Sequence, residues 1–119
     1  MNDMEQKRQY YRLKYPRRAR PSVRFSDERF HVTEVSEGGI RVVMNNFTSV
    51  YKGLSLAGIL DLHCDNQVAI EGAVLRIDGG EVVLKLKKGP TFKHMVQEQR
   101  HIKNTYPTYF ERLKTIEAA

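Results

Sequence analysis

Residues 29–44 read RFHVTEVSEGGIRVVM and predict two short β-strands that a pair of glycines separates. The first strand covers about residues 29–35, and the second covers residues 40–44. Gly38-Gly39 breaks the run between them, because glycine reaches backbone conformations that other residues avoid and so permits a tight reversal. This stretch therefore predicts a β-hairpin.

The sequence on both sides of this hairpin predicts four further strands. Before it, apolar side chains at Ala19, Pro21, Val23 and Phe25 alternate with polar ones, which is typical of a half-buried strand. Three strands follow the hairpin, at about residues 54–63, 67–77 and 81–87. Six short strands joined by tight turns predict a mainly β protein, built as an antiparallel barrel or sandwich.

The end of the chain changes from strand to helical periodicity. After Gly89-Pro90, apolar side chains recur at helical spacing and predict a helix over residues 91–103 that packs on the barrel. The members of this apolar face are Phe92, Met95, Val96 and Ile102. Tyr106-Pro107 ends the helix, and Thr108-x-x-Glu111 is typical of a capping box that begins a short last helix.

Length and charge divide the chain into two parts. Its 119 residues are enough for one domain, and their net charge is +6. Residues 1–24 carry eight basic and two acidic groups, and the rest carries twelve of each, so the whole excess lies at the N-terminus. We predict a flexible basic arm at residues 1–17 and a single barrel domain with its helix at residues 18–119. No apolar run reaches the roughly 18 residues of a membrane-spanning helix, and we expect a cytoplasmic protein.

The first candidate binding motif is Arg8-x-x-x-Arg12, which Lys7 precedes. Each guanidinium is a planar fork that pairs bidentately with a phosphate or with the O6 and N7 atoms of guanine. Two of them on one short segment can grip a compact anionic ligand that carries guanine. The alternative interpretation is a basic tail that only aids solubility.

The second motif is Glu34-x-Ser36-x-x-Gly39, at the end of the first hairpin strand. Side chains two apart on a strand share a face, so the carboxylate and the hydroxyl project together. The carboxylate can accept hydrogen bonds from a guanine, and Gly39 permits either a positive φ or a close backbone approach. The alternative is a polar turn in which Glu34 pairs with a neighbouring arginine. Arg41 and Arg76 are weaker candidates for the lining of the same site.

Taken together, the two motifs resemble the paired signature of the PilZ domain family. That signature is Arg-x-x-x-Arg followed by Asp/Asn-x-Ser-x-x-Gly, and here 21 residues separate Arg12 from Glu34. The predicted order of six strands and a C-terminal helix agrees with the family as well. One position differs, because Glu34 stands where the family usually has Asp or Asn, and its extra methylene moves the acceptor by about 1.5 Å.

The resemblance implies a six-stranded β-barrel that binds the bacterial second messenger cyclic di-GMP and is not an enzyme. Lys7, Arg8 and Arg12 would then lie on an arm that closes over the ligand, while Glu34, Ser36 and Gly39 hold a guanine. The free arm lacks a core to offset its backbone entropy, so ligand binding would order it and present a new surface to a protein partner.

Two other functions remain open from the sequence. A small basic barrel can bind RNA or DNA, and a sequence pI of 9.6 is compatible with that. A degenerate member of the family, without ligand, would act as a protein-interaction scaffold. We predict no metal site, because the four histidines lack metal-ligand spacing and Cys64 is the single cysteine.

Overall fold

The computed structural model describes residues 11–44, 49–109 and 111–112. Its strands are β1 (Leu13–Lys14), β2 (Ser22–Phe25), β3 (Glu28–Ser36), β4 (Gly39–Val43), β5 (Ser55–Asp61), β6 (Gln67–Asp78) and β7 (Glu81–Lys88), and helix α1 (Phe92–Thr105) follows them. All strand pairs are antiparallel. The order β3-β2-β5-β6-β7-β4 closes on itself because β3 also pairs with β4, so the predicted six-stranded barrel is confirmed.

The core lies inside the barrel and is filled by the inward-facing side chains of its strands. Val23, Val35, Val42, Leu60 and Leu84 come from five different strands, and each is at most 1% exposed. Burial of branched apolar side chains from every direction is what stabilises a small closed barrel. Residues that alternate with these therefore point outward, and the outer surface of β3, β4, β6 and β7 becomes available for binding.

The N-terminal part of the described chain packs earlier than the boundary predicted after residue 17. Strand β1 pairs with β3 at Leu13↔Val35 and Lys14↔Glu34, and Leu13 is fully buried. Tyr15 is 5% exposed, and its backbone N–H donates to the Thr33 carbonyl. Two apolar side chains in alternation are too short a pattern to indicate a strand, which explains why the sequence placed this segment in the arm.

Strand β2 pairs with β3 on the same side as β1 does, and a 3₁₀ turn separates β1 from β2. Ala19, predicted to lie in the strand before the hairpin, instead belongs to the 3₁₀ turn Arg17–Ala19. Beyond the turn, the Pro21 carbonyl accepts from the Val32 N–H, which returns the chain to β3. The predicted alternation itself is confirmed, since its apolar members Ala19, Pro21, Val23 and Phe25 are all buried.

Helix α1 lies close to its predicted bounds, but its buried face differs. Met95 and Ile102 are buried as expected, and Glu98 joins them at 0% exposure. The prediction that Phe92 packs in the core is wrong, because this first residue of the helix is 71% exposed. Thr91 caps the helix: its side chain accepts from the His94 N–H, and its own N–H donates to the His94 ring.

The last helix begins earlier than the capping box at Thr108 predicts, because Pro107 and Thr108 are themselves helical. Residues 107–109 and 111–112 are helical, and Tyr109 packs partly against the core. The sequence predicts Phe110, Leu113 and Ile116 as the apolar side of this helix, and all three lie outside the described residues.

Candidate functional site

The turn between β3 and β4 carries the second motif. Ser36 pairs directly with Gly39, and the Ser36 hydroxyl donates to the Gly39 carbonyl at 3.2 Å. Ser36 is only 7% exposed, so its hydroxyl closes the turn, a role that we did not predict. Of the two predictions for Gly39, the close approach is the correct one. Its φ is not positive, but a Cβ there would lie 3.0 Å from the Leu84 carbonyl oxygen.

A row of polar side chains crosses the outer surface of the barrel beside this turn. Residues directly opposite on antiparallel strands share a face. Glu34 pairs with Arg41, Arg41 with Val83, and Val83 with Arg76, while Lys14 lies opposite Glu34 on the other side. The strand register therefore places one carboxylate and several cationic groups side by side, although they lie far apart in sequence.

Arg12 joins the first motif to the second. Its Nη1 lies 3.7 Å from Oε1 of Glu34, and the two side chains are 39% and 17% exposed. Extending the β1–β3 register by one residue puts Arg12 level with Ser36. Arg12 and Glu34 are thus in contact on one surface, and this ion pair is of the kind that the alternative interpretation of the second motif describes. Lys7 and Arg8, the other predicted arm residues, lie outside the described residues.

These residues border a groove of about 460 Å³, which falls within the roughly 300–1,000 Å³ of small-molecule sites. Its charged lining consists of four cations and one carboxylate, so an anion is favoured. The side chains and backbone that line it are Arg12, Glu34, Val35, Ser36, Gly38, Gly39, Ile40, Arg41, Leu75, Arg76, Val83, Leu84, Lys85 and Leu86.

Two of the four cations are held by carboxylates just outside the lining. Arg41 donates to Glu81 and to Asp78, and Arg76 donates to the same Asp78 oxygen at 2.9 Å. The hydrogen bond to Glu81 raises the pKa of Arg41, although its partial desolvation works in the opposite direction. The hydrogen bond from Arg76 lowers the pKa of Asp78. This network fixes the orientation of Arg41 and leaves less of its charge available to a ligand.

Six of the fourteen lining residues are candidates from the sequence, and none of these six comes from β7. Arg41 and Arg76 were weaker candidates, and both line the groove; Lys85 and Leu75 were not singled out. Lys85 lies opposite Gly39 on β7, so only the pairing of β4 with β7 could have placed it there. A hairpin predicts its own register, whereas strands about 40 residues apart do not reveal theirs.

The described parts of the chain contain neither a candidate metal site nor a helix that could span a membrane. Within residues 11–44, 49–109 and 111–112, no three His, Cys, Asp or Glu side chains are grouped so as to hold a metal ion. No described helix is long and apolar enough to span a membrane.

The closed barrel and its groove define a small β-barrel binding domain with an anion-favouring outer surface. The chain belongs to the PilZ domain family, and the family model matches residues 6–104. The family relationship inferred from the two motifs is therefore confirmed. Proteins of this family serve as binding and adaptor domains.

The solved structures that share the fold include the following two. The inhibitor of motility MotI/DgrA from Bacillus subtilis matches with a TM-score of 0.62 at 24% identity, over 84% of this chain and 52% of its own. YcgR from Escherichia coli, solved in complex with c-di-GMP, matches with a TM-score of 0.55 at 14% identity, over 92% of this chain and 50% of its own. The chain thus spans about half the length of each. A comparison with curated proteins returns no match.

Proposed function

We propose that this protein is a bacterial receptor for cyclic di-GMP that acts in the cytoplasm as an adaptor and not as an enzyme. The observation that carries the proposal is the 3.7 Å contact between Arg12 and Glu34, because it joins the two motifs at the groove. Membership of the PilZ family and the fold shared with YcgR, which was solved with this ligand, support it.

The groove has the chemistry that a cyclic guanine dinucleotide requires. Arg12 and Lys85 face it as cations that can meet the two phosphates, and an arginine fork can also bind the O6 and N7 edge of guanine. The Glu34 carboxylate can accept from the N1–H and N2–H of that base. Gly39 lines the groove without a side chain, and a Cβ there would lie 3.0 Å from the Leu84 carbonyl oxygen.

The ion pair between Arg12 and Glu34 also suggests how ligand enters. Arginine–carboxylate contacts that are partly exposed to water contribute about 0–1 kcal/mol, so exchanging this one for ligand contacts is inexpensive. Each new charge-assisted hydrogen bond to the ligand contributes about 1.5–3 kcal/mol. Glu34 can then accept hydrogen bonds from the base, and Arg12 can bind a phosphate, while the barrel keeps its structure.

In this proposal, binding of the ligand also orders the N-terminal segment and signals to a protein partner. Lys7 and Arg8 lie only five and four residues before Arg12, which is close enough to reach the same ligand. Fixing each residue opposes binding by about 1–2 kcal/mol, which several bonds to phosphate and guanine can offset. The ordered segment would then form a surface that the free protein lacks.

The direct test is a calorimetric titration with cyclic di-GMP and, in parallel, with cyclic di-AMP at low and high salt. We expect cyclic di-GMP to bind at least about tenfold more tightly than cyclic di-AMP at both salt concentrations, since Glu34 recognises guanine hydrogens that adenine lacks. A small basic nucleic-acid-binding barrel would behave differently, with affinity for polyanions that falls steeply with salt and depends little on the base. Equal affinity for both dinucleotides would reject the proposed function, and no binding would favour the degenerate scaffold.

A second prediction concerns Lys85, which faces the groove opposite Gly39. Lys85→Ala should weaken cyclic di-GMP binding about three- to tenfold, because it removes one cation that is near the phosphates. Lys87→Ala is the matched control, since it removes the same charge from an exposed position two residues along β7 that is not part of the lining. An equal loss of affinity in both variants would show that only net charge matters.

A further inference from the structure

A buried polar cluster ties helix α1 to the segment that leads into the groove. Glu98 on α1 is 0% exposed, and a carboxylate in such a position must be hydrogen-bonded. Its Oε1 accepts from the Tyr15 hydroxyl at 2.7 Å and lies 2.8 Å from Nδ1 of His63, and its Oε2 accepts from the His63 backbone N–H at 2.8 Å. Three contacts from two other parts of the chain thus converge on one helix residue.

Tyr15 is three residues beyond Arg12, and the chain between them is short and extended. Leu13 and Lys14 form β1, which among the described residues pairs with β3 alone. The Tyr15 N–H then bonds to the Thr33 carbonyl. At about 3.3 Å per residue, Tyr15 lies roughly 10 Å along the strand from Arg12. Because this connection is short and extended, a shift of Tyr15 along β3 would move Arg12 by a similar distance.

A second contact from the C-terminal region reaches the same segment. The Tyr109 hydroxyl, beyond α1, donates to the Lys14 carbonyl at 3.2 Å. A two-residue edge strand forms few ladder bonds of its own, so these side-chain contacts and the buried Leu13 contribute much of what holds it. Burial and the neighbouring Glu98 also raise the pKa of the Tyr15 phenol, so its hydroxyl remains a donor throughout the physiological range.

We infer that Glu98 and Tyr15 are positioning residues for Arg12, and that their hydrogen bond couples ligand binding in the groove to the docking of α1 on the barrel. This inference rests on the proposed function, because Arg12 must bind the ligand for the coupling to be measured as affinity. The coupling is reciprocal: a ligand that holds Arg12 also strengthens the docking of α1 by the same free energy. The helix is in that case the element through which the groove can influence a partner.

The test is a double-mutant cycle measured as cyclic di-GMP affinity. Tyr15→Phe removes the hydroxyl and keeps the ring, and it should weaken binding about five- to thirtyfold in the otherwise unchanged protein. In the Arg12→Ala background, the same change should have almost no effect, because the residue through which it acts is gone. Glu98→Gln should behave in the same way, provided that circular dichroism shows a folded protein. No loss of affinity for Tyr15→Phe, or an equal loss in both backgrounds, overturns the inference.

His101→Ala provides the matched structural control. The His101 ring stacks on the His63 ring with centroids 4.3 Å apart, so this change loosens the same cluster without touching the Tyr15–Glu98 bond. We expect its affinity for cyclic di-GMP to stay within about twofold of that of the unchanged protein. A loss as large as that of Tyr15→Phe would indicate general loosening and contradict a positioning role.

A ligand-free measurement separates failure of this inference from failure of the proposed function. If the unchanged protein does not bind cyclic di-GMP, the proposed function is wrong, and hydrogen exchange then decides on the positioning role. The amide of residue 15, which bonds to Thr33, should exchange at least about fivefold faster in Tyr15→Phe than in His101→Ala. Equal exchange in the two variants would overturn the inference.

Discussion

Replacement of Arg12 by alanine is expected to weaken cyclic di-GMP binding about ten- to a hundredfold in calorimetric titration. The change removes at least one charge-assisted hydrogen bond to the ligand, which is worth about 1.5–3 kcal/mol. It also leaves Glu34 without the cation that lies 3.7 Å away, so an unpaired carboxylate would face the incoming phosphates. Arg8→Ala should have an effect of similar size, because the first motif contributes both guanidiniums.

The matched control for this prediction is Arg17→Ala. Arg17 is an exposed arginine on the 3₁₀ turn, five residues along the chain, and it is not part of the groove lining. This variant loses the same charge from the N-terminal region, so its affinity should stay within about twofold of that of the unchanged protein. Full affinity in both Arg8→Ala and Arg12→Ala would reject the proposed binding site.

Gly58→Ala is expected to lower the free energy of unfolding by about 3 kcal/mol or to prevent folding. A Cβ on Gly58 would lie 2.1 Å from the Arg24 carbonyl oxygen and 2.8 Å from the Phe25 ring. Gly58 stands where β5 pairs with β2, next to the Arg24↔Ile59 pair, so relief of the clash requires the two strands to separate. Chemical denaturation monitored by circular dichroism measures the effect.

A loss of stability in Gly58→Ala, where a small gain is ordinarily expected, would identify the contact with β2 as its cause. Alanine is ordinarily preferred to glycine inside a strand by about 0.5–1 kcal/mol, so a large loss must come from the contact with β2. Ser55→Ala, at an exposed position of the same strand, should change stability by less than about 0.5 kcal/mol. A Gly58→Ala protein as stable as the unchanged one would mean that β2 and β5 are not paired as described.

Most of the fold could be predicted from the sequence because its signals are local. Each of these signals is carried by a few neighbouring residues: the alternation through Val23 and Phe25, the glycine pair at residues 38–39, and the change of period after Pro90. The exceptions are contacts that cross the fold. Leu13 packs beside β3 and Tyr15 bonds to Glu98, both distant in sequence, and Phe92 is exposed although it belongs to the predicted apolar face.

The candidate site likewise combines features that are local in the sequence with contacts that cross the fold. Its two motifs are short sequence patterns, so the amino-acid sequence alone predicts that Arg12 and Glu34 belong to one site. Lys85 and the hydrogen bond of Ser36 to its own turn were beyond such a prediction, since one depends on the β4–β7 register and the other on the closure of the turn. A buried glutamate such as Glu98 is equally hidden from sequence reasoning, because a charged residue on a helix is ordinarily assigned to its exposed face.

The most direct test of the central claim, that cyclic di-GMP lies in the groove between the two motifs, is a nitrogen–proton NMR titration of the labelled protein. We predict that the largest shifts occur at the amides of Arg12, Glu34, Gly39 and Lys85, and that they saturate together with the calorimetric signal. We also predict slower exchange of the amides of the N-terminal segment up to Arg12 once ligand is bound. Saturable shifts confined to β2 and β5, with those four amides unchanged, would contradict the claim.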